Sequence, residues 1–226
     1  MKKLIATDFD GTVCRGGKID PADRAAAAAW RESGRLFGFV TGRGTDFFDT
    51  IKELGVEVDF LLIHNGALLA LSDRTVVKEY RIAEADFRAL EAFFAAIPDV
   101  RAYDKADGDA VRRQYYARFD SPERALEAAA EVNRLFGDRV TAFVNGWHVN
   151  IGKKGSGKTQ GVYDALAWYG LPDDAAAVFG DDYNDLDMIV THRGWAVDTA
   201  RPEVLAKAPH VCKSVGEAAR ELMGAE

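Results

Sequence analysis

Apolar runs of strand length recur along the chain and constrain its fold most: Leu4-Ile5-Ala6, Leu36-Phe37-Gly38-Phe39-Val40, Phe60-Leu61-Leu62-Ile63 and Ala175-Ala176-Ala177-Val178-Phe179. Helix-period segments accompany them. Asp20-Pro21, an alanine run, Trp30 and Gly34 predict a helix over 21–33, with an N-cap, a proline in the first turn and a terminating glycine. Phe47, Phe48, Ile51 and Leu54 predict another over 45–54, closed by Gly55. Strands that are apolar throughout, alternating with helices, imply right-handed βαβ units and a parallel sheet covered on both faces. In such a sheet the ligand lies beyond the carboxyl ends of the strands.

The pattern changes between about residues 70 and 152. A polar connection with Ser72-Asp73-Arg74 leads through Val76-Val77 to a helix over 84–97. Strands near 100–104 and 111–119 follow, then a helix opened by Ser121-Pro122-Glu123, then strands near 139–145 and 147–151 joined by an Asn145-Gly146 hairpin turn. This αββαββ order predicts a smaller α+β domain at 81–152, inserted into an α/β core made of 1–80 and 153–226. One continuous domain with a mixed sheet is the other arrangement compatible with it. The parallel pattern resumes with a helix from Thr159 to Tyr169, the strand 175–179, a short strand 194–197, a helix from Pro202 and a last helix opened by Ser214 and Glu217.

Bulk properties narrow the function classes. The net charge of −7 disfavours non-specific binding to nucleic acid or to an anionic membrane surface. No run approaches the ~18 apolar residues of a membrane span, and Asp8 interrupts the amino-terminal apolar run too early for a signal peptide. The two cysteines, Cys14 and Cys212, form no disulfide framework and no metal-ligand spacing. A reduced, cytoplasmic protein, monomeric or homodimeric, that acts on a small molecule is the expectation.

The strand ends carry the chemistry. Asp8 and Asp10 follow the first run, Thr41-Gly42-Arg43 the second, His64-Asn65-Gly66 the third, and Asp181 and Asp185 the last. Asp10-Gly11 alone is also an ordinary turn signal. Like charges 4 Å apart repel by ~1 kcal/mol in water and ~4 kcal/mol at an effective dielectric of 20. A divalent cation reverses that sign, and an all-oxygen ligand set points to Mg²⁺.

Asp8-Phe9-Asp10-Gly11-Thr12, Thr41-Gly42-Arg43, Lys158 and Gly180-Asp181-Asp182-Tyr183-Asn184-Asp185 together resemble, in order, the four motifs of the haloacid dehalogenase superfamily of phosphohydrolases. Asn65-Gly66-Ala67 and Met188 resemble its Cof-like branch, in which an α+β cap of type IIB is inserted between the second and third motifs. The resemblance implies a Mg²⁺-dependent phosphatase working through an aspartyl-phosphate, with a sugar phosphate or a phosphoglycolate-like acid as substrate. It implies Asp8 as nucleophile and Asp10 as general acid and base. Thr41 would donate to a phosphoryl oxygen, and Lys158 would neutralise Asp8 and the phosphate. Asp8, the Asp10 backbone carbonyl, Asp181 and Asp185 would hold the metal. Asn184 would orient phosphate or Lys158, with Gly42, Arg43 and Asn65 beside the phosphate. A phosphomutase on the same fold is the first alternative.

A second alternative is a P-loop NTPase, because Gly152-Lys153-Lys154-Gly155-Ser156-Gly157-Lys158-Thr159 fits the Walker A pattern. The strand before it reads as one arm of a hairpin, however, and that reading leaves Asp8, Asp10 and Thr41 without a role. Specificity is expected from the insert. Period-2 alternation places Arg112, Gln114, Tyr116 and Arg118 on one strand face, and His148 and Asn150 on the neighbouring one. Gln114, Arg118, His148 and Asn150 are the expected leaving-group contacts; a solvated sheet face is the other reading of the same pattern.

Overall fold

The computed structural model describes residues 2–103 and 112–224. The chain opens with β1 (Leu4–Thr7), a short hairpin of β2 (Cys14–Arg15) and β3 (Lys18–Ile19), α1 (Pro21–Glu32), β4 (Leu36–Val40), α2 (Phe47–Leu54), β5 (Phe60–Ile63), β6 (Leu68–Leu71) and β7 (Val76–Glu79). It continues through α3 (Glu84–Ala95), β8 (Arg101–Tyr103), β9 (Gln114–Arg118), α4 (Pro122–Phe136), β10 (Val140–Asn145) and β11 (His148–Lys153). It closes with α5 (Lys158–Trp168), β12 (Ala176–Gly180), α6 (Leu186–Thr191), β13 (Trp195–Val197), α7 (Pro202–Leu205), β14 (His210–Cys212) and α8 (Val215–Gly224).

Eight strands form one sheet in the order β14-β13-β12-β1-β4-β5-β6-β7. β1 lies between β12 and β4, parallel to both, and Thr7 pairs with Phe179 and Phe39. Alternation along β1 divides the core: Ile5 packs on one face with Trp30 of α1, Phe47 of α2 and Val215 of α8, whereas Leu4 and Ala6 pack on the other with Val162 and Leu166 of α5 and Met188 of α6. The sheet is therefore covered on both sides, as its apolar strands require. At the start of α1 the Asp20 carboxylate accepts from Ala22 N at 2.7 Å, with Pro21 in the first turn.

A second, antiparallel sheet runs β10-β11-β9-β8. One of its faces is apolar: Tyr115, Ala117, Val149 and Ile151 pack with Phe87, Leu90 and Phe94 of α3 and Val132 of α4. The molecule is thus an α/β core with a smaller inserted α+β cap.

Three details depart from the sequence expectations. The stretch 68–79 is a hairpin, not a polar connection: β6 and β7 pair antiparallel and extend the main sheet beyond β5, with Ser72-Asp73-Arg74 in the turn and Arg74 at φ 71°. The short strands β2, β3 and β14 were not foreseen; Gly16-Gly17, both left-handed, is the tight-turn signal for the first pair. Arg112 does not share the Gln114 face, because regular pairing begins at Gln114. Arg112 instead stacks over Phe87 and pairs with Glu84 at 2.8 Å. The expected strand limits at 104 and 111 lie outside the described residues.

Candidate active site

β1 hands the chain to the site through a hydrogen bond from Asp8 N to Phe179 O at 2.9 Å. Phe9 turns inward, edge-on to Phe39 and Phe47, while Asp8 and Asp10 line one cleft. The two carboxylates sit in different surroundings. The Asp8 side chain is 9% exposed and the Asp10 side chain 54%. Arg43 grips Asp10 with two parallel hydrogen bonds of 2.7 Å, Nε to Oδ2 and Nη2 to Oδ1, while its guanidinium lies over the Phe9 ring at 5.0 Å. Such a fork fixes the plane of the carboxylate.

Lys158, the first residue of α5, points its ammonium into the site rather than into solvent. Its Nζ donates to Asp8 Oδ1 and Asp185 Oδ1, both at 2.6 Å, with its side chain 2% exposed. Burial alone would lower its pKa, but Asp185 and Asp8 outweigh burial and hold it above the usual lysine value. Burial pushes Asp8 well up, with Lys158 opposing and Asp185 adding to the rise. Asp185 also accepts from the backbone N–H groups of Asp181 and Asp182 at 3.1 and 3.2 Å. Burial pushes the Asp181 carboxyl up to about 6, against a hydrogen bond from Thr12.

Asp8, Asp181 and Asp185 can each offer a carboxylate oxygen within 4.8 Å of the others. Two buried carboxylates and the half-buried Asp181, with one lysine among them, leave net negative charge in a poorly solvated place, which fits a hard divalent cation. The Asp10 carboxylate is not part of this group. Thr12 Oγ1 donates to Asp181 Oδ1 at 2.7 Å, so Thr12 orients a candidate ligand. Gly11 is required there: at φ 88° a Cβ would lie 2.3 Å from Asp181 Oδ2.

Thr41 is buried and accepts from Arg43 N at 3.2 Å, which leaves its hydroxyl proton for the cleft. Gly42, Arg43, Asn184, His148 and Asn150 line the same cleft, of about 250 Å³, together with Tyr116, Asn145, Asp181 and Asp182. The polar face of the cap sheet thus forms its roof, where Tyr116 stacks on His148 with ring centroids 5.0 Å apart. Asn65 bonds Gln114 of the cap and Asn184 of the core. Arg118, at the end of β9, is exposed and does not line the cleft. Tyr116, Asn145 and Asp182 were not among the expected site residues, although period-2 alternation had already placed Tyr116 on the same face as Gln114. A larger groove of about 720 Å³ on the other side of the Lys158 loop contains neither Asp8 nor Asp10.

The Walker A match does not have P-loop geometry. β11 belongs to the antiparallel cap sheet, and the lysine is committed to Asp8 and Asp185.

A family model described as haloacid dehalogenase-like hydrolase matches residues 5–106 and 115–219. No curated protein matches the chain significantly. Among solved structures, the chain is similar to BT1666 of Bacteroides thetaiotaomicron, a phosphatase of the haloalkanoate superfamily, with a TM-score of 0.84, 20% identity, and 99% of this chain and 95% of that one covered. It is similar to the subclass IIB sugar phosphatase BT4131 with a TM-score of 0.82 and 16% identity, over 98% and 99% of the two chains. A HAD/COF-like hydrolase of Plasmodium vivax has a TM-score of 0.83 and 16% identity, over 100% and 96%. At these identities the likeness is one of fold.

Proposed function

Because the chain belongs to the haloacid dehalogenase-like hydrolase family, we propose that it is a Mg²⁺-dependent phosphomonoester hydrolase of the Cof-like, type IIB-capped branch, with the cap at 81–152. The observation that carries this reading is Lys158 bridging Asp8 and Asp185 at 2.6 Å, among three clustered carboxylates at the carboxyl edge of the parallel sheet.

In this reading Asp8 Oδ attacks phosphorus and the P–O bond to the alcohol breaks, leaving an aspartyl-phosphate. Asp10 protonates the departing alkoxide, then takes a proton from the water that releases inorganic phosphate and restores Asp8, a role typically worth about 10²–10⁴-fold. Lys158 offsets the charge of Asp8 so that it can approach an anion. Thr41 Oγ1 donates to a phosphoryl oxygen. Asp8, Asp181, Asp185 and the Asp10 backbone carbonyl would hold Mg²⁺, whose charge offsets carboxylate and phosphate repulsion.

The roof supports a sugar or polyol phosphate over a phosphoglycolate-like acid. Tyr116, Asn145, His148 and Asn150 offer aromatic and amide surface, and among the described residues the cations at the cleft are both engaged, Arg43 by Asp10 and Lys158 by Asp8 and Asp185. The volume lies below the roughly 300–1,000 Å³ of drug-sized sites, which suits a small metabolite. Among the described residues no helix is long and apolar enough to cross a membrane, and both cysteines are buried and free. The unpaired cysteines support the reducing, cytoplasmic setting that we infer.

Asp8→Asn is the test. With phenyl phosphate and Mg²⁺, release of inorganic phosphate is expected to fall by at least about 10³-fold, with the folded state retained by circular dichroism. A variant that keeps its activity would rule out Asp8 as nucleophile. Free phosphate as the product separates a hydrolase from a mutase.

A further inference from the structure

Four side-chain carboxamides run in a continuous chain from core to cap. Asn184 Nδ2 donates to Asn65 Oδ1 at 3.3 Å, Asn65 Nδ2 to Gln114 Oε1 at 3.2 Å, and Gln114 Nε2 to Asn150 Oδ1 at 2.7 Å. Each of the two middle amides accepts through oxygen and donates through nitrogen, so the chain has one direction. Turning over either one sets like atoms against each other at both of its contacts. Both ends of the chain, Asn184 and Asn150, line the cleft. Asn150 therefore reaches the cleft with its oxygen occupied and its N–H₂ donors remaining.

The backbone is shaped around this chain. Asn65 lies at φ 54° directly after His64 at φ 52°, two successive residues in the left-handed conformation that L side chains rarely adopt. It is held there by hydrogen bonds of 2.8 Å from His64 N to Arg43 O and from Asn65 N to Thr41 O. Strain maintained by its surroundings is a mark of function. Gly42 gives the Asn65 amide its room, since a Cβ there would stand 3.3 Å from it. On the cap side, Gln114 sits opposite Gly152, which has no side chain, and Asn150 opposite Tyr116. Gln114 thus crosses diagonally to Asn150, within the reach of a long side chain on one sheet face. Gln114 itself does not line the cleft.

We propose that Gln114 is a positioning residue for specificity: anchored to the core through Asn65, it fixes the Asn150 amide so that its N–H donors meet a hydroxyl or ring oxygen on the alcohol half of the substrate. The inference rests on the phosphomonoesterase reading above. It makes substrate choice depend on a residue of β9 that touches no substrate and on the seating of the cap against Asn65.

The test uses the whole chain with Mg²⁺. It compares phenyl phosphate, whose leaving group offers no oxygen beyond the ester, with hexose, pentose and glycerol monophosphates. Gln114→Met and Asn150→Ala are each expected to lower kcat/KM for the hydroxylated phosphates, relative to phenyl phosphate, by about tenfold, the size of one lost hydrogen bond. The loss should appear in KM rather than kcat. The double variant should lose no more than Asn150→Ala alone, because the two residues act as one unit. Gln114→Glu keeps the acceptor for Asn65 but cannot donate to Asn150. It is expected to show the same loss, and it carries the test if the Met variant does not fold. Losses that multiply in the double variant, equal losses on phenyl phosphate, or an unchanged ratio would each overturn the inference. So would a wild-type protein that releases phosphate from phenyl phosphate and from none of the hydroxylated probes. No release from any probe removes the phosphomonoesterase reading and this inference with it.

Discussion

Thr12 donates its hydroxyl to Asp181 at 2.7 Å from a fully buried position. A Thr12→Val substitution keeps the shape and removes only that donor. Loss of an outer partner of this kind typically costs about 10–100-fold in metal affinity, so the Mg²⁺ concentration for half-maximal phosphatase activity should rise by at least about tenfold, with kcat at saturating Mg²⁺ changed less. Asp181 also sets a pH dependence. Its carboxyl is pushed up to about 6 from an ordinary 3.8, so between those values the folded state binds the proton more tightly than the unfolded state. Its contribution to stability therefore falls as pH rises through that window in the metal-free protein. A metal ion competes with the same proton, so the rise in thermal midpoint on adding millimolar Mg²⁺ in place of EDTA should be larger at about pH 7.5 than at about pH 5. An equal rise at both values would place the ion elsewhere.

At the scale of elements, the turn after β5 joins three parts of the site. His64 N and Asn65 N bond the loop after β4, Asn65 reaches the cap, and Gly66 packs against the entry to α5. Gly66 has φ 83°, and a Cβ on it would lie 2.3 Å from Gly157 O, one residue before Lys158. Gly66→Ala adds a left-handed penalty of about 1–2 kcal/mol to a clash with backbone. A loss of about 2 kcal/mol corresponds to about 4–8 °C in a protein of this size. Calorimetry should show at least that, together with a fall in kcat as Lys158 shifts. The sequence shows the glycine and the apolar strand before it. It does not show that the turn stands against α5, because that contact joins residues some 90 positions apart, a separation read from the numbering of Gly66 and Gly157. The β6–β7 hairpin was hidden for a related reason. Leu68–Ala70 are buried between β5 and β7 and belong to the apolar run Ala67–Leu71, but β7 is the sheet edge, with Val76 exposed, and carries no such run to signal a paired strand.

For the molecule as a whole, the cap sets what the core can reach. The roof of Tyr116, Asn145, His148 and Asn150 leaves about 250 Å³ over Asp8 and Asp10. Phosphates of short sugars and polyols should therefore be hydrolysed with kcat/KM at least about tenfold above that of nucleoside monophosphates, the discrimination expected from a pocket that excludes the larger group. A steady-state comparison of the two sets checks this, and preference for the nucleotides would mean that the cap stands open during turnover.

The sequence by itself determined the alternation of the main parallel strands with their helices, the inserted cap, and the convergence of Asp8, Thr41 and Asp181 at one sheet edge. Those features follow from local periodicity, from capping residues, and from the rule that parallel strands present their carboxyl ends together. Only the tertiary structure decided what each group faces. It set the Arg43 fork on Asp10, placed Thr12 on Asp181, turned Lys158 inward between two carboxylates, left Arg118 in solvent, and joined Asn184, Asn65, Gln114 and Asn150 across two sheets. Such pairings depend on side-chain direction and on the seating of the cap, and neither leaves a period in the sequence.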